Sequence, residues 1–144
     1  MGYLIAGMLV AAVLVARRLL VVVQVAGTSM TPAYHPGDRV LVRRVAGGRL
    51  RRGQVVVFQS AHTWGLARPS RLGATDWFIK RVAALPGDSV PDSVAARVDA
   101  PPGSLVPARR LVVLGDNPAS RDSRAWGYVP FDRVLGVVVR RIHS

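Results

Sequence analysis

The sequence predicts a mainly β fold, a compact antiparallel sheet or barrel, preceded by an N-terminal apolar helix. Short runs rich in valine recur after residue 18, and β-branched side chains favour extended structure. Pro and Gly pairs separate these runs, and beyond residue 27 the apolar residues show no helical periodicity. The remaining length is enough to bury one core.

Six runs are predicted to form strands, each followed by a turn signal. They are Leu19 to Val25, Arg39 to Val45, Gln54 to Gln59, Trp77 to Ala84, Leu111 to Leu114 and Val134 to Ile142. Residues 60–76, between the third and fourth runs, are rich in Gly, Pro and Thr. A connection of that length in a compact domain is usually functional or mobile.

The chain begins with an apolar run from Tyr3 to Ala16. A helix extended to Leu20 covers about 27 Å, close to the roughly 30 Å of a hydrocarbon core. Arg17 and Arg18 would then reach the interface with their long side chains. A cleaved secretory signal has an apolar core of similar length. We expect a retained anchor, because no basic residue precedes the run.

The composition limits the classes of site and partner. There is no Cys, and the three His residues lack the spacing of metal ligands, so we expect neither a disulfide framework nor a metal site. The net charge is +12, from 19 Arg and one Lys against eight Asp. Because the basic doublets are dispersed and lack interleaved aromatics, we expect contact with membrane lipid and no nucleic-acid partner.

Lys80 is the only lysine, and it lies within an apolar strand. Arginine cannot be deprotonated in a protein, so Lys80 alone could supply a neutral amine. If its face of the strand is buried, desolvation lowers the pKa and the amine can act as a general base. The alternative is an edge charge that discourages aggregation.

Two further segments combine turn residues with polar side chains. In the first, Gly27 to Pro32, a strand delivers Ser29 into a turn, although such residues are also ordinary turn formers. The second, Leu114 to Arg124, follows a strand directly. Its structural alternative is an Asx-type turn in which Asp122 pairs with Arg124.

Together these segments resemble the sequence boxes of type I signal peptidases, membrane-anchored serine proteases. The similarity covers nearly the whole chain. In family order it runs through an apolar N-terminus, Ser-Met-x-Pro, Gly-Asp-x-Val, Lys-Arg-x-x-x-x-Pro-Gly-Asp, and Gly-Asp-Asn followed by Ser-x-Asp-Ser-Arg. The resemblance implies a signal-peptidase catalytic β fold at residues 21–144, without a large inserted second domain, and a membrane-anchor helix at residues 1–20.

The resemblance also implies roles for single residues. Ser29 matches the nucleophile and Lys80 the general base, a Ser/Lys dyad that needs no metal or cofactor. Ser120 matches a hydroxyl that orients the lysine, at an interval one residue shorter than the commonest pattern. The residues that match supporting positions are Asp122 and Arg124 as an ion pair, Arg81 beside them, and Asn117, Asp116 and Ser123 in the turn.

Substrate recognition follows from the same resemblance. Met30, Phe78 and Ile79 would form shallow pockets for the small residues of Ala-x-Ala-like sites. The substrate would bind as an added strand beside Val25 to Gly27 or Phe78 to Lys80. The Ser29 N–H would donate to the oxyanion. Some relatives add a side-chain hydroxyl donor at the position of Gly27, and this chain has no such donor there.

The implied function is removal of N-terminal signal peptides from exported precursors at the cytoplasmic membrane. The chain would cross once, with its catalytic domain on the extracytoplasmic side. Arg17 and Arg18 conflict with this topology, because the positive-inside tendency places their side in the cytoplasm.

Four alternatives remain open. They are a maturation protease with one dedicated precursor, a self-cleaving repressor relative, a His35-based serine protease, and a non-catalytic basic β domain tethered to the membrane. The second lacks support, since an apolar run replaces the DNA-binding helix-turn-helix.

Overall fold

The computed structural model describes residues 1–59 and 77–142, so the irregular stretch expected at residues 60–76 lies outside the described part. Its elements follow one another closely along the chain. They are α1 (Gly2–Leu19), β1 (Leu20–Gln24), β2 (Arg39–Arg44), β3 (Val55–Gln59), β4 (Trp77–Ala84), α2 (Asp92–Ala95), β5 (Arg110–Leu114), α3 (Ser123–Trp126), β6 (Val129–Pro130) and β7 (Val134–Ile142).

Across the described residues, seven strands form one antiparallel sheet in the order β1-β2-β7-β3-β4-β5-β6. The predicted mainly-β fold is therefore confirmed, and the six predicted strands agree with the observed ones to within a residue at each end. The strand that the sequence did not predict is β6, which has two residues. Such a short strand leaves no alternating pattern to detect.

Strand β4 has different partners along its two halves. Strand β3 pairs with Trp77–Arg81, whereas β5 pairs with β4 only from Arg81 onward, where Arg81 lies opposite Leu114. Among the described strands, the β5-facing edge of residues 77–80 is therefore unpaired. An unpaired edge of this kind can accept another strand.

The sheet packs a core on each face, because side chains alternate along a strand. On one face, Phe58, Val82 and Leu111 belong to a buried cluster against which Phe78 packs. On the other face, Ile79 belongs to a second cluster with Val57. Lys80 follows the alternation of Phe78 and Val82, so it points to the first face.

Helix α1 stands apart from these cores. None of its residues is buried, and it is the helix in the described part of the chain that is long and apolar enough to cross a membrane. Its 18 residues correspond to about 27 Å. The helix ends at Leu19 and β1 begins at Leu20, so no linker separates the apolar helix from the sheet.

Two helices of four residues, α2 and α3, were not predicted, because one helical turn is too short to show a period. Asp122 caps α3 by accepting a hydrogen bond from the Arg124 N–H at 3.1 Å. The carboxylate satisfies an N–H group that has no partner within the helix.

Strands β2 and β7 approach each other closely at Gly136. A Cβ at this position would lie 2.1 Å from the Arg43 carbonyl oxygen, and this neighbour is backbone that cannot rotate away. We expect Gly136→Ala to lower the free energy of unfolding by about 2 kcal/mol or more, measured by denaturant titration in detergent micelles. Gly48→Ala is the matched control, since nothing lies within 4 Å of its added Cβ. Equal stability of the two variants would contradict the close approach.

Candidate active site

Ser29 lies in a turn that begins where β1 ends. The Val25 N–H donates to the Asp38 carbonyl at 2.8 Å, which holds the two ends of the turn together. Gly27 then has φ +78°, a left-handed conformation that favours glycine. This conformation turns the chain away from the sheet edge and leaves Ser29 partly exposed while the next residue, Met30, is fully buried.

Asn117 fixes this turn from the segment that follows β5. Its backbone N–H donates to the Ser29 carbonyl at 3.0 Å, and its side-chain Nδ2 donates to the Thr28 carbonyl at 3.1 Å. Its Oδ1 accepts from the Ala119 N–H at 3.0 Å. One asparagine thus ties the backbone on both sides of the Ser29 nitrogen to the 115–124 segment.

Gly115 permits the close contact between these two segments. A Cβ at this position would lie 2.2 Å from the Ser120 Oγ and 2.5 Å from the Ser29 carbonyl oxygen. No side chain fits between Ser29 and Ser120 there. The Ser120 hydroxyl donates to the Arg121 carbonyl at 3.4 Å, and among the described residues no hydrogen bond joins it to Lys80, contrary to the expectation from the sequence.

Lys80 is buried, with 3% of its surface exposed. Phe78 and Trp126 stack with ring centroids 5.0 Å apart, and the Lys80 Nζ lies 5.6 Å and 6.0 Å from the two centroids. Desolvation disfavours the ammonium and lowers the pKa of Lys80 to about 8, against a smaller opposing attraction from Asp122. This amine therefore loses its proton at a much lower pH than an exposed lysine does.

Asp122 is completely buried and is held by four hydrogen bonds. Its carboxylate accepts from the Gly115 N–H at 2.9 Å and from the Arg124 N–H at 3.1 Å. The Arg124 guanidinium forms a bidentate contact with the same carboxylate at 2.9 and 2.6 Å. Burial alone would raise the pKa of Asp122, but the bonds from Arg124 and Gly115 outweigh it and hold the pKa below its usual value. The structure thus contains the Asp122–Arg124 ion pair, which the resemblance and the structural alternative both predict.

Arg81 does not join that pair, contrary to the expectation from the sequence. Its guanidinium makes a bidentate contact with the Asp116 carboxylate at 2.9 and 2.7 Å and donates to the Gly53 carbonyl at 2.8 Å. The reason is strand alternation, since Arg81 follows Lys80 and leaves β4 on the opposite face. Arg81 therefore holds the start of the 115–124 segment against β4.

Ser29 and Lys80 line one cavity of about 230 Å³. It opens between the turn after β1 and the unpaired edge of β4. Its lining residues are Ala26, Gly27, Ser29, Phe78, Lys80, Arg121 and Trp126. The cavity combines one hydroxyl, one amine and two aromatic walls.

Several expected site residues lie elsewhere. Met30 and Ile79 belong to the core cluster on the other face of the sheet, so of the three expected pocket residues Phe78 lines the cavity. Among the described residues, Arg121 lines the cavity and its neighbour Ser120 does not. His35 is exposed and lies outside the described lining, which gives the His-based alternative no support.

The sequence reasoning missed Trp126. The residue lies on α3, and its ring reaches Lys80 because Asp122 caps that helix beside the end of β5. The available signal was an aromatic residue four positions after an expected site carboxylate, the spacing of one helical turn.

Sequence comparisons relate the chain to a known family. The chain matches the family described as "Signal peptidase, peptidase S26" over residues 1–98 and 92–142. It is 34% identical to signal peptidase I of Leptolyngbya laminosa, over 78% of this chain and 64% of that protein. It is 33% identical to probable signal peptidase I-2 of a Synechocystis strain, over 76% and 56%, and 28% identical to signal peptidase IB of Staphylococcus aureus, over 78% and 72%.

The chain thus spans between about half and two thirds of the length of the first two of these relatives. The match to the family extends from the apolar helix through the last strand and includes both Ser29 and Lys80. The chain belongs to the signal peptidase family, peptidase S26.

Proposed function

We propose that this chain is a serine endopeptidase that removes N-terminal signal peptides from exported precursors after Ala-x-Ala-like sites. Ser29 is the nucleophile and Lys80 the general base. The observation that carries the proposal is the burial of the Lys80 amine in the cavity that Ser29 also lines. A buried amine with a lowered pKa, in the same cavity as a partly exposed hydroxyl, can activate a serine without histidine.

In the proposed reaction, the neutral Lys80 amine accepts the Ser29 proton as Oγ attacks the scissile carbonyl. The resulting ammonium donates that proton to the leaving nitrogen when the C–N bond breaks. A water molecule then attacks the acyl-enzyme and gives a proton to Lys80, and the returning proton regenerates the Ser29 hydroxyl. Lys80 therefore acts alternately as base and acid.

The Ser29 N–H is the proposed oxyanion donor. Within the described residues this N–H makes no hydrogen bond, whereas the carbonyls of Thr28 and Ser29 are both engaged by Asn117. The contacts from Asn117 therefore support a fixed orientation for the donor. Gly27 offers no additional hydroxyl.

The unpaired edge of β4 supports binding of an extended substrate. A peptide strand between residues 26–27 and residues 78–80 would run past Ser29 with its main chain paired to the protein. The cavity beside it has a volume of about 230 Å³, and its walls include Phe78 and Trp126. These apolar walls suit an apolar side chain such as that of alanine.

We further propose that α1 anchors the chain by a single pass through the cytoplasmic membrane, with residues 21–144 as the catalytic domain outside. The absence of a linker after Leu19 supports this arrangement, because it holds the sheet at the membrane surface, where a signal peptide leaves the bilayer. The partners are then precursor proteins and lipid. Arg17 and Arg18, in the last turn of the helix, would then lie at the outer surface, against the positive-inside tendency.

We expect Ser29→Ala, Lys80→Arg and Lys80→Met each to reduce cleavage of an Ala-x-Ala precursor by at least about a thousandfold, since each removes one member of the proposed pair. The measurement is kcat/KM in detergent micelles. Ser93→Ala, on an exposed serine of α2, is the matched control and retains activity. An active Lys80→Arg enzyme would refute the base assignment, because guanidinium cannot accept the proton.

The proposed base also fixes the pH dependence. Because the reactive form of Lys80 is the neutral one, kcat/KM rises with pH through a midpoint near 8 and then levels off. Trp126→Leu removes part of the ring stack, so water reaches the amine and the midpoint moves upward toward 10.5. Phe131→Leu, a partly buried aromatic outside the cavity lining, leaves the midpoint in place. A midpoint unaffected by Trp126→Leu would contradict the role of desolvation.

The burial of Lys80 also lowers stability. Its pKa is lower in the folded state, so the folded state binds fewer protons and stability increases as the pH rises from about 8 toward 10.5. We expect Lys80→Met to raise the free energy of unfolding at pH 7 by roughly 3 kcal/mol, with the gain disappearing above pH 10.5. Denaturant titrations at pH 7 and above pH 10.5 measure this difference. A destabilised variant at pH 7 would show that Lys80 holds the fold together.

A further inference from the structure

A groove of about 550 Å³ lies at the end of β2 remote from the turn that carries Ser29. Its lining residues are Arg43, Gly48, Arg49, Leu50, Arg51 and Gln54. The three arginines are exposed, and among the described residues no carboxylate pairs with them. By contrast, five arginines elsewhere in the described part are paired with aspartates.

The groove is built on fixed backbone. Gly136 packs against the Arg43 carbonyl, and Leu50 is buried in the core cluster beneath the groove. The Arg51 N–H donates to the Gln54 side chain at 2.8 Å, and the Arg49 N–H donates to the Ala46 carbonyl at 3.0 Å. The guanidinium groups therefore extend from a preformed scaffold.

The position of the groove identifies its occupant. Arg43 lies opposite Leu20, the residue that follows α1 directly. Paired strands are about 4.8 Å apart, so Arg43 stands beside the point where the chain leaves the apolar helix. With α1 in a bilayer, that point is at the level of the lipid headgroups, where Arg17 and Arg18 of the last helical turn also lie.

We propose that the groove of Arg43, Arg49 and Arg51 binds the phosphate of an anionic phospholipid headgroup in the bilayer that holds α1. Guanidinium groups bind phosphate oxygens through paired hydrogen bonds. None of the described lining residues is aromatic, so the groove lacks the stacking surfaces of a single-stranded nucleic-acid site. The inference rests on the proposed anchor and is independent of the Ser29–Lys80 chemistry.

The test uses the full chain in phosphatidylcholine nanodiscs with trace spin-labelled phosphatidylglycerol or spin-labelled phosphatidylcholine. Electron spin resonance gives the relative association of the two lipids with the protein. Each arginine near a membrane surface adds about fivefold to the attraction for anionic lipid. We expect the wild type to prefer phosphatidylglycerol, and the triple variant Arg43→Gln, Arg49→Gln and Arg51→Gln to lose at least about fivefold of that preference.

The matched control removes the same charge elsewhere. Arg97, Arg109 and Arg110 are also exposed and without described carboxylate partners, and Arg110 lies in β5, away from the edge of the sheet that holds β1. Their triple Gln variant keeps the preference. A preference retained by the groove variant, or lost equally by the control, would overturn the assignment.

Competition with soluble anions distinguishes a lipid site from a small-anion site or a nucleic-acid site. Inorganic phosphate that abolishes the preference at constant ionic strength would indicate a small-anion site and overturn the lipid assignment. Binding of short single-stranded RNA by the wild type but not by the groove variant, with no lipid preference in either protein, would indicate a nucleic-acid site. That result would also overturn the lipid assignment.

Precursor cleavage in micelles separates this proposal from the peptidase function. Unchanged cleavage by the groove variant shows that loss of lipid binding is distinct from loss of the Ser29–Lys80 chemistry. Co-elution of the chain with nanodiscs tests the anchor by itself.

Discussion

The buried amine of Lys80 is the constraint on which the candidate site depends. A lysine with 3% exposure is costly to bury in its charged form, so the packing around it must supply the compensating stability. The Phe78–Trp126 stack excludes water, while Asp122 attracts the ammonium and opposes that effect. Arg124 pairs directly with Asp122 and offsets the charge of its carboxylate. Asp122 therefore cannot raise the pKa of Lys80 back to its ordinary value.

The end of β5 brings the Ser29 turn and strand β4 to the same cavity. Leu114 pairs with Arg81, the neighbour of Lys80, and the next residues of the chain contact the Ser29 turn through Gly115 and Asn117. A slip of one residue in this pairing would reverse the faces of β4 and turn Lys80 away from Phe78 and Trp126. The bidentate contact between Arg81 and Asp116 supports the same β4–β5 register from the opposite face of the sheet.

The sequence was sufficient where the information is local. Valine runs and turn residues located the strands. It was insufficient where a side chain depends on a distant partner. Met30 was expected in the pocket and lies in the core, because the turn after Gly27 directs it inward, and Arg81 pairs with Asp116 across a strand. Trp126 was missed because its role requires the cap that Asp122 provides.

The division of cations between one lysine and 19 arginines separates two kinds of control. Arginine stays protonated at any pH at which the fold persists, so the surface proposed to face lipid keeps its charge while Lys80 titrates. Exposed charges are screened within roughly 8 Å at physiological ionic strength, whereas a buried group is screened much less. We therefore expect the proposed membrane contact to respond mainly to salt, and the buried amine mainly to pH.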